Sequence, residues 1–452
     1  MTTAIRPKPG PPREYHFPRF EHHVLTSGLK VIVAPVGKLP VVSVGAVIDI
    51  AAVDDPSGFE GLAELTAQAL REGTTTRDGM KLALDLEKLG TSIEAGADWD
   101  STVVSMTVLK DKLVPAFQIF AEVLMAPAFA EHDIERLKAE RLAERMQILD
   151  EPRGLADESF ARFVYAPGAR YGEPMSGTTG SVSKISREHV TAFYRNGYAP
   201  SATTIIICGD VSVDEGLSLA ESAFTGWKGA QSVSRTPFDA KARSNRAVEI
   251  VAKPDAAQSE LRIGHVGVPR THEDYFDIVV ANAVLGGLFS SRINLNLREA
   301  HGYTYGASSY YDWRRQAGPF VISTAVQSEV TSEAIAETLK EIDRMRAEEI
   351  TDDELTLATS YLSGVFPIRY ETTASIASAL ANLVTFNLPR NYYDVYRAKI
   401  AGVTRASVLE AAITHVKPEE LQIVVVGNPD LIREPVEALT FGPLTVREAA
   451  EQ

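Results

Sequence analysis

Metal-binding side chains are the first candidates for chemistry in this chain, and their spacing excludes the common zinc motifs. No two of the nine histidines lie four residues apart; they stand at positions 16, 22, 23, 132, 189, 265, 272, 301 and 415. A zinc helix of the H-E-x-x-H or H-x-x-E-H type needs two imidazoles at i and i+4, so that both reach one ion from one helix face. The single cysteine excludes C-x-x-C zinc patterns as well. Only residues distant in sequence could assemble a metal site here.

The composition is that of a globular protein with an acidic balance. Of 452 residues, 45% are hydrophobic and 23% are charged, and the formal net charge is -15. Nucleic-acid binding draws on clustered Lys and Arg, so we expect no nucleic-acid partner. The N-terminal stretch lacks the apolar core of a secretory signal, and the longest apolar stretch, 39–53, is too short to cross a bilayer. We therefore expect no membrane association and a cytoplasmic location.

An internal repeat organises the elements that must position any site. The segment LKVIVAP ends at Pro35 and VEIVAKP ends at Pro254, an offset of 254 − 35 = 219 residues. Two further apolar runs follow Pro200 and Pro418, an offset of 418 − 200 = 218 residues. Within each unit, apolar strands precede a helix, a strand-rich stretch and a long amphipathic helix. The sequence thus predicts an α+β fold of two homologous domains, each a mainly antiparallel sheet packed with helices.

Domain boundaries follow from the repeat and from one polar stretch. Residues 229–246 are polar and lack periodicity, which is typical of an interdomain linker. We expect the first domain over 20–228 and the second over 247–452, after a disordered or extended segment at 1–19.

Three features in a fixed order resemble the insulinase and pitrilysin family of inverted-zincin metallopeptidases, specifically its mitochondrial-processing-peptidase-like branch. They are GLA followed by GT within residues 61–74, the two homologous halves, and the segment LREAHGYTYGASSYY at 297–311. The resemblance covers roughly residues 20 to 440. It implies a two-lobed, clamshell-like half chamber.

The family carries its H-x-x-E-H motif between GLA and GT, and here that motif is degenerate. The five positions hold Glu64, Leu65, Thr66, Ala67 and Gln68. Glu144 lies 144 − 68 = 76 residues beyond Gln68, the spacing at which the family carries its third zinc ligand. Two carboxylates without an imidazole hardly favour zinc, so we predict no metal in this chain. The alternative for Glu144 is an ordinary solvated helix glutamate.

The second half matches the family's Arg/Tyr pair at Arg298 and Tyr305. The resemblance implies that this pair holds substrate and stabilises an oxyanion opposite the zinc. The residue types suit that role, because a guanidinium offers fixed N–H donors and a phenol offers one O–H. The structural alternative is an Arg298 paired with Glu299 and a Tyr305 half-buried in a strand.

Two other segments resemble substrate-facing elements of the family. A strand next to the zinc helix pairs with an extended peptide, and its counterpart here is residues 92–104, where Gly96 and Ala97 allow close backbone approach. A weaker glycine-containing loop begins at Gly286 and Gly287, with an ordinary helix exit as the alternative.

The resemblance implies that the chain is the zinc-less subunit of a heterodimeric zinc metallopeptidase that degrades small, unfolded peptides. Its partner would be a homologous subunit that carries H-x-x-E-H and holds the zinc, while this chain would hold no cofactor and be inactive alone. The alternative is a non-catalytic, structural core-type protein of a larger complex. Neither a G-x-S-x-G elbow nor a P-loop is present in the sequence.

Overall fold

Two six-stranded sheets, each packed with helices, make up the part of the chain that the computed structural model describes, residues 14–228 and 240–449. The predicted α+β class with two repeated units is confirmed. Residues 1–13 of the expected N-terminal segment and 229–239 of the expected linker lie outside the described residues.

The strands number six in each half. Those of the first half are β1 (Glu21–Val24), β2 (Lys30–Pro35), β3 (Val41–Ile48), β4 (Glu94–Ala97), β5 (Thr102–Leu109) and β6 (Thr203–Gly209). Those of the second half are β7 (Ala247–Ala252), β8 (Gln258–Val266), β9 (Ala307–Tyr311), β10 (Pro319–Gln327), β11 (Gln422–Gly427) and β12 (Leu444–Glu448).

Helices fill the connections. In the first half they are α1 (Leu62–Ala69), α2 (Gly79–Lys88), α3 (Leu113–Met125), α4 (Glu131–Asp150), α5 (Pro152–Val164), α6 (Thr179–Lys184), α7 (Arg187–Gly197) and α8 (Val213–Ala223). In the second half they are α9 (Tyr275–Asn282), α10 (Arg292–Asn294), α11 (Thr331–Ala347), α12 (Asp352–Arg369), α13 (Thr373–Thr385), α14 (Tyr392–Ala401), α15 (Arg405–His415) and α16 (Pro429–Ala438). Two π-helical turns, Ala283–Gly287 and Leu295–Ala300, extend α9 and α10.

The repeat is visible in the strand orders, β1-β2-β6-β3-β5-β4 and β12-β7-β11-β8-β10-β9. Strands β2 to β6 and β7 to β11 occupy equivalent positions, and most neighbours are antiparallel. The sixth strand breaks the equivalence. Strand β1 precedes its sheet and pairs antiparallel with β2, whereas β12 follows its sheet and pairs parallel with β7.

Central strands are apolar on both faces because both faces are covered. Along β6, Ile205 and Ile207 join the core formed with the first half's own helices. The alternating residues Ile206 and Cys208 join a second core, to which α13 contributes Ile376 and other apolar side chains. Continuous apolar runs are typical of strands buried on two sides.

Helix α13 of the second half therefore covers the first sheet, where it packs on β3 and β6. A hydroxyl at each end fixes its position. The Oγ atoms of Ser43 and Thr373 lie 2.8 Å apart at its start, and those of Ser101 and Thr385 lie 2.9 Å apart at its end.

Helix α5 of the first half makes the reciprocal contact with the second sheet, where it packs on β8 and β11. The buried guanidinium of Arg262 on β8 donates to Asp157 Oδ1 at 2.6 Å. Arg447 on β12 donates to Ser159 Oγ at 2.5 Å. Each half thus lends one helix to the sheet of the other.

The described parts of the two expected connecting segments are packed. Phe17 is buried and stacks on Tyr393, with ring centroids 4.6 Å apart. Through Tyr15 and Phe17, this part of the chain lies against the second half. At the end of the expected linker, Lys241 O accepts the Ala166 N–H at 2.8 Å, and Ala242 forms a bridge with Tyr165.

One helical run, Tyr275–Ala300, is long and apolar enough by length and composition to cross a membrane. Its most apolar window is 67% buried inside the protein. That burial is typical of a core helix, and the run is interrupted at 288–291.

Candidate functional site

The N-terminus of α1 is held by a buried carboxylate. Asp55 accepts the backbone N–H of Gly61 at 2.8 Å and that of Ala63 at 2.7 Å, and Arg170 Nη2 donates to it at 3.1 Å. Burial raises the pKa of Asp55 to about 7, against the opposing charge of Arg170 and the two backbone donors. Gly61 has φ 95°, and a Cβ there would lie 2.5 Å from Ser176 O. These contacts fix where α1 begins, and so where its motif positions lie.

The degenerate motif positions divide between the core and the surface. Leu65, Thr66 and Ala67 are buried. Glu64 and Gln68 share the partly exposed face, one helical turn apart, and Gln68 Nε2 donates to Glu64 Oε1 at 3.3 Å. This is the face on which two zinc-binding imidazoles would have to stand.

Arg141 of α4 reaches that face and pairs with both remaining carboxylates. Its Nη2 donates to Glu64 Oε1 at 2.8 Å, and its Nη1 lies 3.1 Å from Glu144 Oε2. The side chains of Arg141 and Glu64 are only 12% and 18% exposed, whereas that of Glu144 is 57% exposed. The Arg141–Glu64 pair is thus the stronger of the two, since it is shielded from solvent.

The residues at these positions do not fit a zinc ion. They offer two carboxylates and an amide, without imidazole or thiolate, and a guanidinium already pairs with both carboxylates. Arg141 was not among the residues picked out from the sequence. Its position three residues before Glu144 gave a signal for a pair within α4, but none for the contact with Glu64.

Strand β4 lies beside α1 at the edge of the first sheet. It pairs with β5 on one side, and no other described strand pairs with its second side. A Cβ on Gly96 would meet open space, whereas the side chain of Ala97 is buried. A peptide can therefore approach the strand closely at Gly96, whereas at Ala97 it can contact only the backbone.

The predicted strand over 92–104 is wrong in one respect. It is a hairpin, in which residues 98–101 turn the chain from β4 into β5. The turn is fixed from the other half, because Asp100 Oδ2 accepts the Arg315 N–H at 2.8 Å and Ser101 contacts Thr385. A cleft of 930 Å³ opens next to β4, between α2 and β5.

Arg298 lies in the second π-helical turn and is partly exposed. Its Nη1 is 3.2 Å from Glu299 Oε1, but that nitrogen donates no well-aligned hydrogen bond within the described residues. Its guanidinium carbon lies 4.6 Å from the centroid of the Phe289 ring. The Arg298–Glu299 pairing expected in the structural alternative is therefore present as a loose ion pair.

Tyr305 differs from that alternative, because it is 94% exposed and lies in a loop rather than a strand. The backbone around it is anchored. Thr304 Oγ1 accepts the Gly306 N–H at 3.1 Å and lies 3.0 Å from Thr324 Oγ1, while Asn294 Oδ1 accepts the Ala307 N–H at 3.0 Å. A fixed loop thus presents a free phenol to solvent.

The two candidate groups are not brought together within one chain. Over residues 14–228 and 240–449, no hydrogen bond or ion pair joins the motif positions of α1 and α4 to the Arg298–Tyr305 loop. Helix α1 packs on α4, α7 and β4, all of the first half.

Comparison with known families matches two successive parts of the chain to one family. The family description "Insulinase (Peptidase family M16)" matches residues 31–172, and "Peptidase M16 inactive domain" matches residues 184–362. The chain belongs to peptidase family M16. Among M16 relatives, an uncharacterized zinc protease of Streptomyces coelicolor is 23% identical over 86% of this chain and 85% of its own length. One of Bacillus subtilis is 22% identical over 78% of this chain and 85% of its own length.

Solved structures show the same M16 fold. A peptidase M16 inactive domain from Pseudomonas fluorescens superposes with a TM-score of 0.85 at 24% identity, covering 90% of this chain and 98% of that one. A protease from Helicobacter pylori gives a TM-score of 0.84 at 17% identity, covering 91% of this chain and 100% of that one.

Proposed function

We propose that this chain is the catalytically incomplete subunit, zinc-less at its motif helix α1, of a heterodimeric M16 metallopeptidase that degrades small, unfolded peptides. In this proposal a homologous partner carries H-x-x-E-H and the zinc ion. This chain supplies substrate binding together with Arg298 and Tyr305.

The observation that carries the proposal is the guanidinium of Arg141 between Glu64 and Glu144. Its positive charge pairs with both carboxylates that are left at the motif positions, so a guanidinium stands where a zinc ion would have to bind. Hydrolysis of a peptide bond by this family's chemistry then requires a metal-bearing site elsewhere.

The exposure of Tyr305 supports a role toward a partner. A phenol that is free to solvent on an anchored loop is available to donate its O–H to a group outside this chain. Arg298 adds N–H donors from the π-helical turn that precedes this loop. Preorganised donors of this kind stabilise the charge that develops on a carbonyl oxygen during hydrolysis.

The free edge of β4 supports peptide binding. An extended peptide can add to an unpaired strand through main-chain hydrogen bonds, with little dependence on sequence. Selection by size, through entry into a closed chamber, would then matter more than side-chain specificity.

The test is reconstitution with an H-x-x-E-H relative and a quenched-fluorescence peptide. We expect no chelator-sensitive hydrolysis by this chain alone and chelator-sensitive hydrolysis by the pair. Arg298→Ala or Tyr305→Phe in this chain should lower kcat of the pair by roughly 10²- to 10³-fold, as for loss of one oxyanion donor. Tyr361→Phe, at an exposed tyrosine of α12, is the matched control and should leave kcat unchanged.

Two results would contradict the proposal. Chelator-sensitive hydrolysis by this chain alone would place the active site within it. Full activity of the pair after both substitutions would instead favour the non-catalytic, structural role.

A further inference from the structure

Two histidines and an aspartate converge in the second half, away from the motif positions of α1. Asp274 Oδ2 lies 2.7 Å from His415 Nε2 and 3.8 Å from His272 Nδ1. One ligand atom from each of the three residues can be chosen so that all lie within 4.8 Å of one another. The two imidazole rings meet edge to face, with centroids 4.8 Å apart.

His415 is the fixed member of this cluster. It is the last residue of α15 and is 6% exposed, so packing holds its ring in place. The C-terminus of a helix carries partial negative charge, which favours a cation nearby.

The side chain of Asp274 does not make the hydrogen bond that is usual at the start of a helix. It is the N-cap residue of α9, where an aspartate ordinarily accepts a backbone N–H of the first helical turn. Here its side chain makes no capping hydrogen bond and points at His415 instead. Its carboxylate is therefore directed into the cluster.

His272 completes the set from the loop before α9. Its Nδ1 is unprotonated, because it accepts the Asp274 backbone N–H at 3.2 Å, and a metal ion at this nitrogen would replace that hydrogen bond. His272 and Asp274 are both partly exposed, which leaves a path for an ion from solvent. His272 also lines a cleft of 310 Å³ together with Arg270, Tyr275 and Lys399.

We propose that His272, Asp274 and His415 form a site for a zinc-class divalent ion. Two imidazoles and one carboxylate are a ligand set that zinc takes in proteins, at about 2.0–2.2 Å from each ligand. A tetrahedral ion places its ligand atoms about 3.3 Å apart. The two separations from Asp274 Oδ2, 2.7 and 3.8 Å, bracket that value, whereas the whole set spans up to 4.8 Å, so the side chains must move together to admit the ion.

Three protein ligands leave a fourth position for water, which is the arrangement of an open rather than a closed zinc site. The inference does not depend on the proposed peptidase role, because the cluster shares no residue with α1 or with the Arg298–Tyr305 loop. Spacing within the sequence could not show it, since Asp274 and His415 are 141 residues apart.

The test is titration of the metal-free, untagged chain with Zn²⁺ and, separately, with Mg²⁺ by calorimetry. We expect one Zn²⁺ per chain with a dissociation constant below about 10 µM. Mg²⁺ should not bind at the same concentrations, because imidazole suits zinc and not magnesium. X-ray absorption at the zinc edge should show imidazole scattering from two histidines.

His272→Ala and His415→Ala should each weaken Zn²⁺ binding by at least about 100-fold, since loss of an outer-shell partner alone costs about 10- to 100-fold. His272 lies on a partly exposed loop, so its variant tests the site even if the buried His415 variant fails to fold. His132→Ala, at an exposed histidine, is the control and should bind as the wild type does. Absence of saturable binding, or binding unchanged by His272→Ala, would show that the cluster is only an Asp–His hydrogen bond closing the loop onto α15.

Discussion

Arg141 balances charge at a position where the family relies on a metal ion. A zinc ion and a guanidinium are both cations, but the guanidinium is part of the chain, and its planar N–H groups donate to carboxylate oxygens. Glu64 and Glu144 thus pair with a guanidinium, and the motif positions offer no imidazole that could bind zinc beside them.

We predict that Arg141 and Glu64 are coupled in stability. Because both side chains are mostly shielded, removing one leaves the other unpaired, and Arg141→Ala should lower the free energy of unfolding by about 1–3 kcal/mol. A double-mutant cycle with Glu64→Ala, measured by urea unfolding, should return a coupling energy above about 1 kcal/mol.

The matched control is the exposed pair Arg344–Glu348 on α11, at i and i+4. Its cycle should return about 0.3–0.5 kcal/mol. Equal coupling energies for the two pairs would mean that Arg141 is an ordinary surface arginine.

Single residues could be predicted from the sequence where a motif fixes their spacing. The positions of Glu64, Ala67, Gln68 and Glu144 follow from such spacing, and α1 and α4 do bring the two glutamates to one guanidinium. Arg141 and the His272–Asp274–His415 cluster could not be predicted. Their contacts join different elements, and no local pattern records them.

At the scale of elements, Gly286 decides how α9 and its π-helical turn pack on β9. A Cβ at Gly286 would lie 2.4 Å from Ser309 Oγ and 2.6 Å from Ser309 N. Asn282 strengthens the same contact by donating to Ser309 O at 3.0 Å. The glycine therefore permits close packing of helix on strand, in addition to ending a helix.

We predict that Gly286→Ala lowers the free energy of unfolding by about 1–3 kcal/mol, the range of overpacking in a well-packed interior. Backbone atoms of β9 would have to move, because the contact is not with the end of a flexible side chain. Thermal or urea unfolding measures the change.

Gly364→Ala within α12 is the control, since a Cβ there meets no atom within 4 Å. It should raise stability by roughly 0.5–1 kcal/mol, because alanine is the better helix former. If both substitutions raised stability alike, the close packing at Gly286 would be wrong.

The N-termini of the two long helices show which features of the elements could be predicted from the sequence. In a capping box, a Ser or Thr before the helix and a Glu three residues later each accept the other's backbone N–H. Thr351 and Glu354 do form a capping box at α12, whereas Ala130 at α4 makes no side-chain cap. Glu354 also binds the buried Arg292. Although burial opposes it, the hydrogen bonds from Arg292 and from the Thr351 backbone lower the pKa of Glu354 to about 2. The capping box follows from a local sequence pattern, but the pairing of Glu354 with Arg292 does not.

At the scale of the whole molecule, the halves are joined by reciprocal helices rather than by contact of two finished domains. The offset between Pro35 and Pro254 predicted two equivalent units and their internal order. The apolar runs that follow Pro200 and Pro418 gave a second, nearly equal offset, and they form β6 and β11. Neither pattern could show that α13 covers the first sheet and α5 the second, since hydrophobicity does not specify which segment covers a face.

We predict that the first half does not fold stably alone. Without α13, one face of β2, β3 and β6 loses its cover, including Ile32 and Ile206. A fragment of residues 1–228 should bind the dye ANS and show no cooperative unfolding in urea. Co-expression with residues 229–452 should restore a complex that unfolds cooperatively and excludes the dye.

The intact, undivided chain is the control for ANS binding. Cooperative unfolding of the isolated fragment with little dye binding would show that α13 is dispensable for the first sheet.

The reciprocal placement of α5 and α13 relates this two-repeat chain to a dimer of single repeats. A single repeat carries a sheet with one uncovered face and a helix shaped to cover an identical face. Two separate copies would satisfy each other by domain swapping across a twofold axis, with the same contacts in both directions. The same pattern of contacts can therefore be built by one duplicated polypeptide or by a swapped homodimer of single repeats. Fusion removes the dependence of that assembly on protein concentration.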